Sequence, residues 1–254
     1  MGVTFSSTPS AFGGLHLALL GIIVLAAALL FPALRKQPEE KLLRLLGILG
    51  AGMLVTEVWK QWFVFRYVFQ GAPSTWFFPW QLCSMAMYLS FLCPFLKGRA
   101  QDTALAFLGS FSLLAAVFAL VFPGDMLRPQ VLLFCHSFLY HGVMVLESLA
   151  AILILRRRKR PPFRPVLLLY LGMAAVAEGI NVLSHHLIED RKLASNMFNI
   201  TPYYPSTQPV FHGVALRLGI LPEIVIYLGL IALGSWGLFR LACAGKRNQV
   251  RSEE

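Results

Sequence analysis

Seven stretches of this chain are each long and apolar enough to cross a lipid bilayer, which leaves few folds open to it. They cover residues 15–34, 42–69, 78–96, 103–122, 131–155, 163–188 and 218–243. A helix that spans hydrocarbon needs about 20 mostly apolar residues. In water, seven such runs would have no polar faces with which to build a surface. In hydrocarbon the backbone finds no outside partner, so each run must bond to itself as a helix. A composition that is 57% hydrophobic and 13% charged points the same way. The expected fold is all-α: a polytopic seven-transmembrane-helix bundle forming a single transmembrane domain over residues 1–254. No internal repeat is visible, which counts against inverted-repeat transporter folds. The first run has no basic segment before it and no small-residue cleavage site, so it reads as an uncleaved anchor.

The basic residues orient this bundle. Of 22 Lys and Arg, sixteen fall at the first, third and fifth loops and the C-terminal end. Five fall at the other connections, and Lys60 lies inside a span. Positive charge stays cytoplasmic, so the expected arrangement has the N-terminus outside and the C-terminus in the cytoplasm of a plasma membrane protein. The run from Arg156 to Arg160 and the net charge of +10 read as anchors against anionic headgroups. Membrane lipids are therefore the expected partners, and nucleic acid is not.

Ionisable groups inside a membrane mark functional sites by default. Glu57, Lys60 and Gln61 share one face of the second run. The third run opens with Pro79, Trp80, Gln81 and Cys83; read as a helix from Pro79, it puts Trp80, Cys83, Ser84 and Met87 on one stripe. The fifth run carries one stripe of Ser137, His141 and Ser148 and another of His136, Tyr140 and Glu147. The sixth places Glu178, Asn181 and His185 on one face. All four sets reach the outer half of the membrane, which favours one shared polar cavity. Structural alternatives stand beside this reading: a Glu57–Lys60 helix clasp, an inert buried cysteine, and a histidine that only joins helices. His185 and His186 near Glu178 and Glu189 lack any HExxH-type ligand spacing, and the four cysteines show no CxxC pattern. No metal and no cofactor is expected. The connection at 189–217 is rich in aromatics and carries Pro202, Pro205 and Pro209, so it is either a lid dipping into the bundle or a plain interfacial loop.

These residues resemble the bacterial YwaF-like integral membrane proteins, whose relatives include eukaryotic transmembrane protein 164. The resemblance rests on Glu57-Val-Trp-Lys60-Gln61, on Phe-Pro79-Trp-Gln81-Leu-Cys83-Ser, on Tyr140-His141-Gly142 and on Phe198-Asn199-Ile-Thr-Pro-Tyr-Tyr-Pro in the long loop. It implies a lipid acyltransferase with a cysteine–histidine pair or, more distantly, a threonine–histidine fatty-ester hydrolase like the androgen-induced proteins. The family histidine falls on His141, whereas its nucleophile position falls on Trp80, which cannot be one. Either Cys83 takes that role or this branch has lost the chemistry.

Three functions remain open on the sequence. The first is acyl transfer or ester hydrolysis on lipid, with His141 as base and Cys83 as nucleophile. Gln81 or Asn181 would donate to the oxyanion, and Glu57, Lys60, Gln61, Trp80, Tyr140, Glu178 and Asn199 would support the site or bind ligand. The second is a transporter or binding protein for a small amphipathic ligand. The third is a structural membrane protein in which every polar group joins helices.

Overall fold

The computed structural model of the protein describes residues 3–244 apart from 189, 191, 192 and 209. Glu189 and Pro209 of the long loop, and the cations Arg191, Lys192, Lys246, Arg247 and Arg251, lie outside the described residues. The chain is all-helical, and among the described residues six helices are long and apolar enough to cross a membrane.

Helix α1 (Gly14–Arg35) is followed by α2 (Glu39–Phe63), which runs on into a π turn at Val64–Val68. Helix α3 (Ser84–Leu92) ends in a 3-10 turn at Cys93–Phe95. Helices α4 (Gly98–Phe107) and α5 (Leu113–Val121) form one span joined by a π turn at Leu108–Ser112. Then come α6 (Val131–Arg157), α7 (Arg164–Leu187), the short α8 (Phe211–Leu218) and α9 (Ile220–Ala242). The α4–α5 span and α6 are the most enclosed, and α1 is peripheral. Their aromatic core includes Phe111 stacked on Tyr170 at 4.5 Å between ring centroids.

The expected span at 78–96 is the element that differs. Residues 78–83 form turns, and only Ser84–Phe95 is helical. At 1.5 Å per residue that helix covers roughly 18 Å, short of the ~30 Å of hydrocarbon. Pro79 does not open a helix, because its carbonyl accepts the Tyr88 hydroxyl at 2.9 Å and Gln81 is drawn to the long loop. The expected stripe of Trp80 with Cys83 is therefore absent. The Trp80 indole turns away and donates to the Met173 carbonyl on α7 at 3.1 Å.

One end of the bundle is tied by arginines. Arg158 bonds to Glu39, to Asp102 at 2.6 Å and to Gln101 at 2.8 Å. Arg157 donates to the carbonyls of Gln37 and Arg35 at 2.6 and 2.8 Å, and Arg156 to that of Ala242 at 3.1 Å. Gln101 in turn donates to the Cys93 carbonyl at 2.8 Å. The first, third and fifth loops and the end of α9 thus share this end, and α3 returns to the end from which α2 sets out. At the opposite end Val3 and Phe5 pair with 129–131, and buried His16 is 2.8 Å from the Leu120 carbonyl.

Helices α2 and α3 meet more closely than side chains allow. A Cβ placed on Gly50 would lie 2.3 Å from the Phe91 nitrogen and 2.9 Å from the Met87 carbonyl oxygen. Backbone cannot yield as a flexible side chain does, so Gly50→Val should destabilise the protein by roughly 3 kcal/mol. Gly52 has open space around it, and Gly52→Ala should be neutral or stabilising by up to about 1 kcal/mol. Thermal unfolding of the two variants in detergent checks both expectations.

Candidate active site

A cavity of about 260 Å³ lies in the half of the bundle remote from the arginines. Its walls come from the last turns of α2, residues 76–84, the ends of α5 and α6 nearest this pole, α9, and the loops at 196–199 and 207–208. Leu114, Ala115, Phe118 and Ile231 are among its apolar lining residues, and Asp125, Arg128, Thr207 and Gln208 among its polar ones. Arg128 lies over the Phe77 ring at 5.1 Å, and its burial pulls the guanidinium below its ordinary value, opposed by nearby Asp125.

On α6, His136, Ser137, Tyr140 and His141 all line the cavity, so both sequence stripes contribute. Glu147 and Ser148 do not. They lie fully buried away from it, with the Glu147 carboxyl beside the Ser90 hydroxyl. The His141 Nδ1 is 2.7 Å from the Ser137 carbonyl, one turn back. A carbonyl only accepts, so Nδ1 carries the proton and neutral imidazole keeps its lone pair on Nε2. Beside it the Tyr140 hydroxyl is buried and has no hydrogen-bond partner among the described residues.

Cys83 also lines the cavity and is the one cysteine of four to do so. It sits immediately before α3, within electrostatic range of Lys60, Asp125, Tyr140 and Tyr227. Among the described residues no hydrogen bond joins its thiol to His141. On α2, Glu57 and Lys60 pair at 2.7 Å and both face the cavity. Gln61 stands behind them, donating to Glu57 at 2.6 Å and to the Phe77 carbonyl.

The expectation that α7 contributes a polar face to the same cavity does not hold. None of Glu178, Asn181 and His185 is in its wall, and Trp80 is outside it too. Glu178 is half-buried, and His185 stacks on Tyr203 at 3.6 Å between centroids. Asn181 is buried and spent on backbone: it accepts from the Met197 N–H at 2.6 Å and donates to the Met197 carbonyl at 3.1 Å. Gln81 borders the cavity but is spent likewise, donating to the Asn196 carbonyl at 3.0 Å and accepting from the Phe198 N–H at 2.8 Å. Neither amide is free to act as an oxyanion donor.

Between them these two amides grip the turn at Met197–Asn199, which has a left-handed backbone at Phe198 (φ 57°) and Asn199 (φ 57°). Such a conformation costs about 1–2 kcal/mol per residue for side chains other than glycine. The grip offsets that cost, and Asn199 reaches the cavity, where it bonds to the Tyr227 hydroxyl. Asn196, Phe198, Asn199, Thr207 and Gln208 of the long loop therefore border the cavity. Tyr227, Asn196, Asp125 and Arg128 were not singled out from the sequence as site residues. Tyr227 stands alone in an apolar run, and the other three belong to loops whose folding back no periodicity reveals.

The architecture defines a multi-pass, all-helical membrane protein with a partly open, mainly apolar cavity that carries several polar side chains and is bordered by loops at one end of the bundle. Within that class the chain belongs to the TMEM164 family, whose model matches residues 11–239. No curated protein and no solved structure matches it.

Breaking a buried ion pair from one side leaves a charge stranded in low dielectric, at a cost of about 3–5 kcal/mol. Glu57→Gln should therefore lower stability by roughly 3 kcal/mol, and the double variant Glu57→Gln, Lys60→Met should recover most of it. Melting temperatures of the single and double variants measure this directly.

Proposed function

We propose that the protein is an intramembrane enzyme that transfers or hydrolyses fatty-acyl groups of membrane lipids. The observation that carries this reading is the shared cavity: an imidazole with Nδ1 anchored and Nε2 available borders the same space as Cys83. In the proposed cycle His141 Nε2 takes the thiol proton, and the sulfur attacks the acyl carbonyl. The collapsing tetrahedral intermediate releases the first alcohol, which receives that proton, and leaves an acyl thioester. A second lipid hydroxyl, deprotonated by the same nitrogen, then takes the acyl group as the C–S bond breaks, and the released Cys83 thiolate recovers that proton from His141; water in its place gives hydrolysis. The missing thiol–imidazole hydrogen bond is compatible with this, because catalytic bonds often close only around substrate. The apolar lining suits an acyl chain, and Arg128 in that lining suits a polar headgroup. Asn199 and Tyr140 border the acyl site, while Asn181, Gln81 and Gln61 hold its walls.

The Glu57–Lys60 pair in the cavity wall favours a second reading, a transporter or binding protein for a small amphipathic ligand. The two readings separate by mutation. Under the enzyme reading, Cys83→Ala and His141→Ala each lower turnover of a lipid ester by at least about 100-fold, the scale expected for loss of a nucleophile or base. Ester-lipid profiles of cells expressing the wild type and each variant provide the measurement, and identical profiles would sink the enzyme reading. Under the transporter reading, Cys83→Ala is silent and Glu57→Gln abolishes uptake.

The same proposal includes seven crossings, with the N-terminus outside a plasma membrane bundle. Residues 70–95 would make the third crossing as loop plus short helix, since α3 ends at the arginine-tied pole. The gathering of cations at that pole supports a cytoplasmic assignment for it. In whole cells, a membrane-impermeant maleimide should label Thr207→Cys but not Arg160→Cys. The reverse pattern would invert the topology.

A further inference from the structure

Two cations line the cavity, and their electrostatic positions differ. Lys60 is paired with Glu57 at 2.7 Å. Arg128 has no carboxylate within ion-pair distance among the described residues. Its Nε donates to the Asp125 carbonyl at 2.9 Å, and the guanidinium lies over the Phe77 ring at 5.1 Å. Those two contacts hold the group and leave both Nη nitrogens without a hydrogen-bond partner among the described residues. The acidic charge that acts on Arg128 is Asp125, which is exposed and has one carboxylate oxygen 3.5 Å from the Gln208 amide nitrogen. A charge drawn out of water is costly unless it is paired and hydrogen-bonded, and an exposed carboxylate beyond contact distance supplies little of either. Much of the remaining wall is apolar, Leu114, Ala115, Phe118 and Ile231 included.

From this geometry we infer that the cavity binds an amphiphile with one inserted alkyl chain and an anionic head, carboxylate or phosphate, which Arg128 receives. The inference goes beyond acyl chemistry, because it concerns what the cavity holds and needs no bond to form or break. A planar guanidinium with free Nη donors matches the paired oxygens of either head, and such charge-assisted bonds are about twice as strong as neutral ones. The Phe77 ring and the Asp125 carbonyl hold the group before a ligand arrives, so little ordering is lost on binding. Lys60 does not substitute for it, since an anion there would also meet the Glu57 carboxylate. The cavity volume of about 260 Å³ suits one inserted chain. Burial of its methylene groups in the apolar lining supplies affinity whatever the head. The chain therefore sets the strength of binding, and Arg128 sets its selectivity.

The test is competition for the cavity. The full chain in phosphatidylcholine nanodiscs is photolabelled with dodecanol carrying a chain-terminal diazirine, and adducts on α5 and α9 are quantified by mass spectrometry. Unlabelled dodecanoate, dodecyl phosphate, dodecanol and dodecyltrimethylammonium compete at mildly alkaline pH, where dodecanoate is ionised. None of them carries an ester, so hydrolysis plays no part. In the wild type at least one of the two anions should displace the probe at a concentration about 10-fold or more below dodecanol and the cation. Whichever anion does so identifies the head. In Arg128→Gln that preference should collapse, while probe labelling and displacement by dodecanol stay as in the wild type. Asp125→Asn removes the acidic charge acting on Arg128 and should sharpen the preference by about 2-fold or more, an arm that holds even if Arg128→Gln fails to fold. Four competitors of equal strength in the wild type, or a preference that survives in Arg128→Gln, overturn the inference. Either result leaves the acyl reading standing, because that reading rests on Cys83 and His141.

Discussion

Hydrocarbon supplies no hydrogen bonds, and the rest of this structure follows from how the chain meets that constraint. Helices satisfy it within themselves, but residues 70–83 and 193–208 are largely irregular backbone at one end of the bundle. Their polar groups bond to each other and to side chains sent up from the helices. The Thr75 and Trp76 N–H groups and the Ser74 hydroxyl all reach the Leu193 carbonyl. The Ser184 hydroxyl accepts the Ser195 N–H at 2.8 Å and also meets Thr75, and Tyr204 donates to the Ser195 carbonyl at 3.0 Å. Gln61, Gln81 and Asn181 complete the set. The polar residues of the membrane segments thus divide into those that replace missing backbone partners and those left over to face a cavity.

That division accounts for the site. An unwound stretch before α3 borders the cavity, and non-helical backbone in a membrane protein is tolerated where it is buried in protein or lines a cavity. Cys83 stands at the junction of turn and helix, and α6 brings His141 to the same cavity with its ring tautomer set one turn back. Glu57 and Lys60 neutralise each other beside them, so the cavity carries polarity without an uncompensated charge from α2. The other end of the bundle is closed by the Arg158 network, and the close packing of α2 on α3 at Gly50 connects the two ends.

How much of this the sequence carried depends on the range of the interaction. Six spans were legible because length and apolarity are local properties, and their observed ends lie within a few residues of those expected. The face of α2 marked by Glu57 and Lys60 does point inward, because an unpaired charge cannot face lipid. The 78–96 run was read as a span on the same local evidence. It departs from that reading because the polar groups of 75–83 bond to residues more than a hundred positions away. The stripe of α7 misled for the same reason: Asn181 is turned to the loop, which a helical wheel does not contain.

The sequence by itself determined the medium, the all-helical class, family membership and the inward faces of α2 and α6. Each of these follows from composition, from helical spacing or from motifs that stand within a few residues of one another. Tertiary structure alone decided which polar groups remain free. It assigned Gln81 and Asn181 to holding a strained turn, turned Trp80 away, and brought Asn199 and Tyr227 to the cavity with Cys83 and His141. A side-chain amide has the same chemistry whether it clamps a loop or meets a ligand. Only the identity of its partner separates the two, and that partner lies far away in the chain.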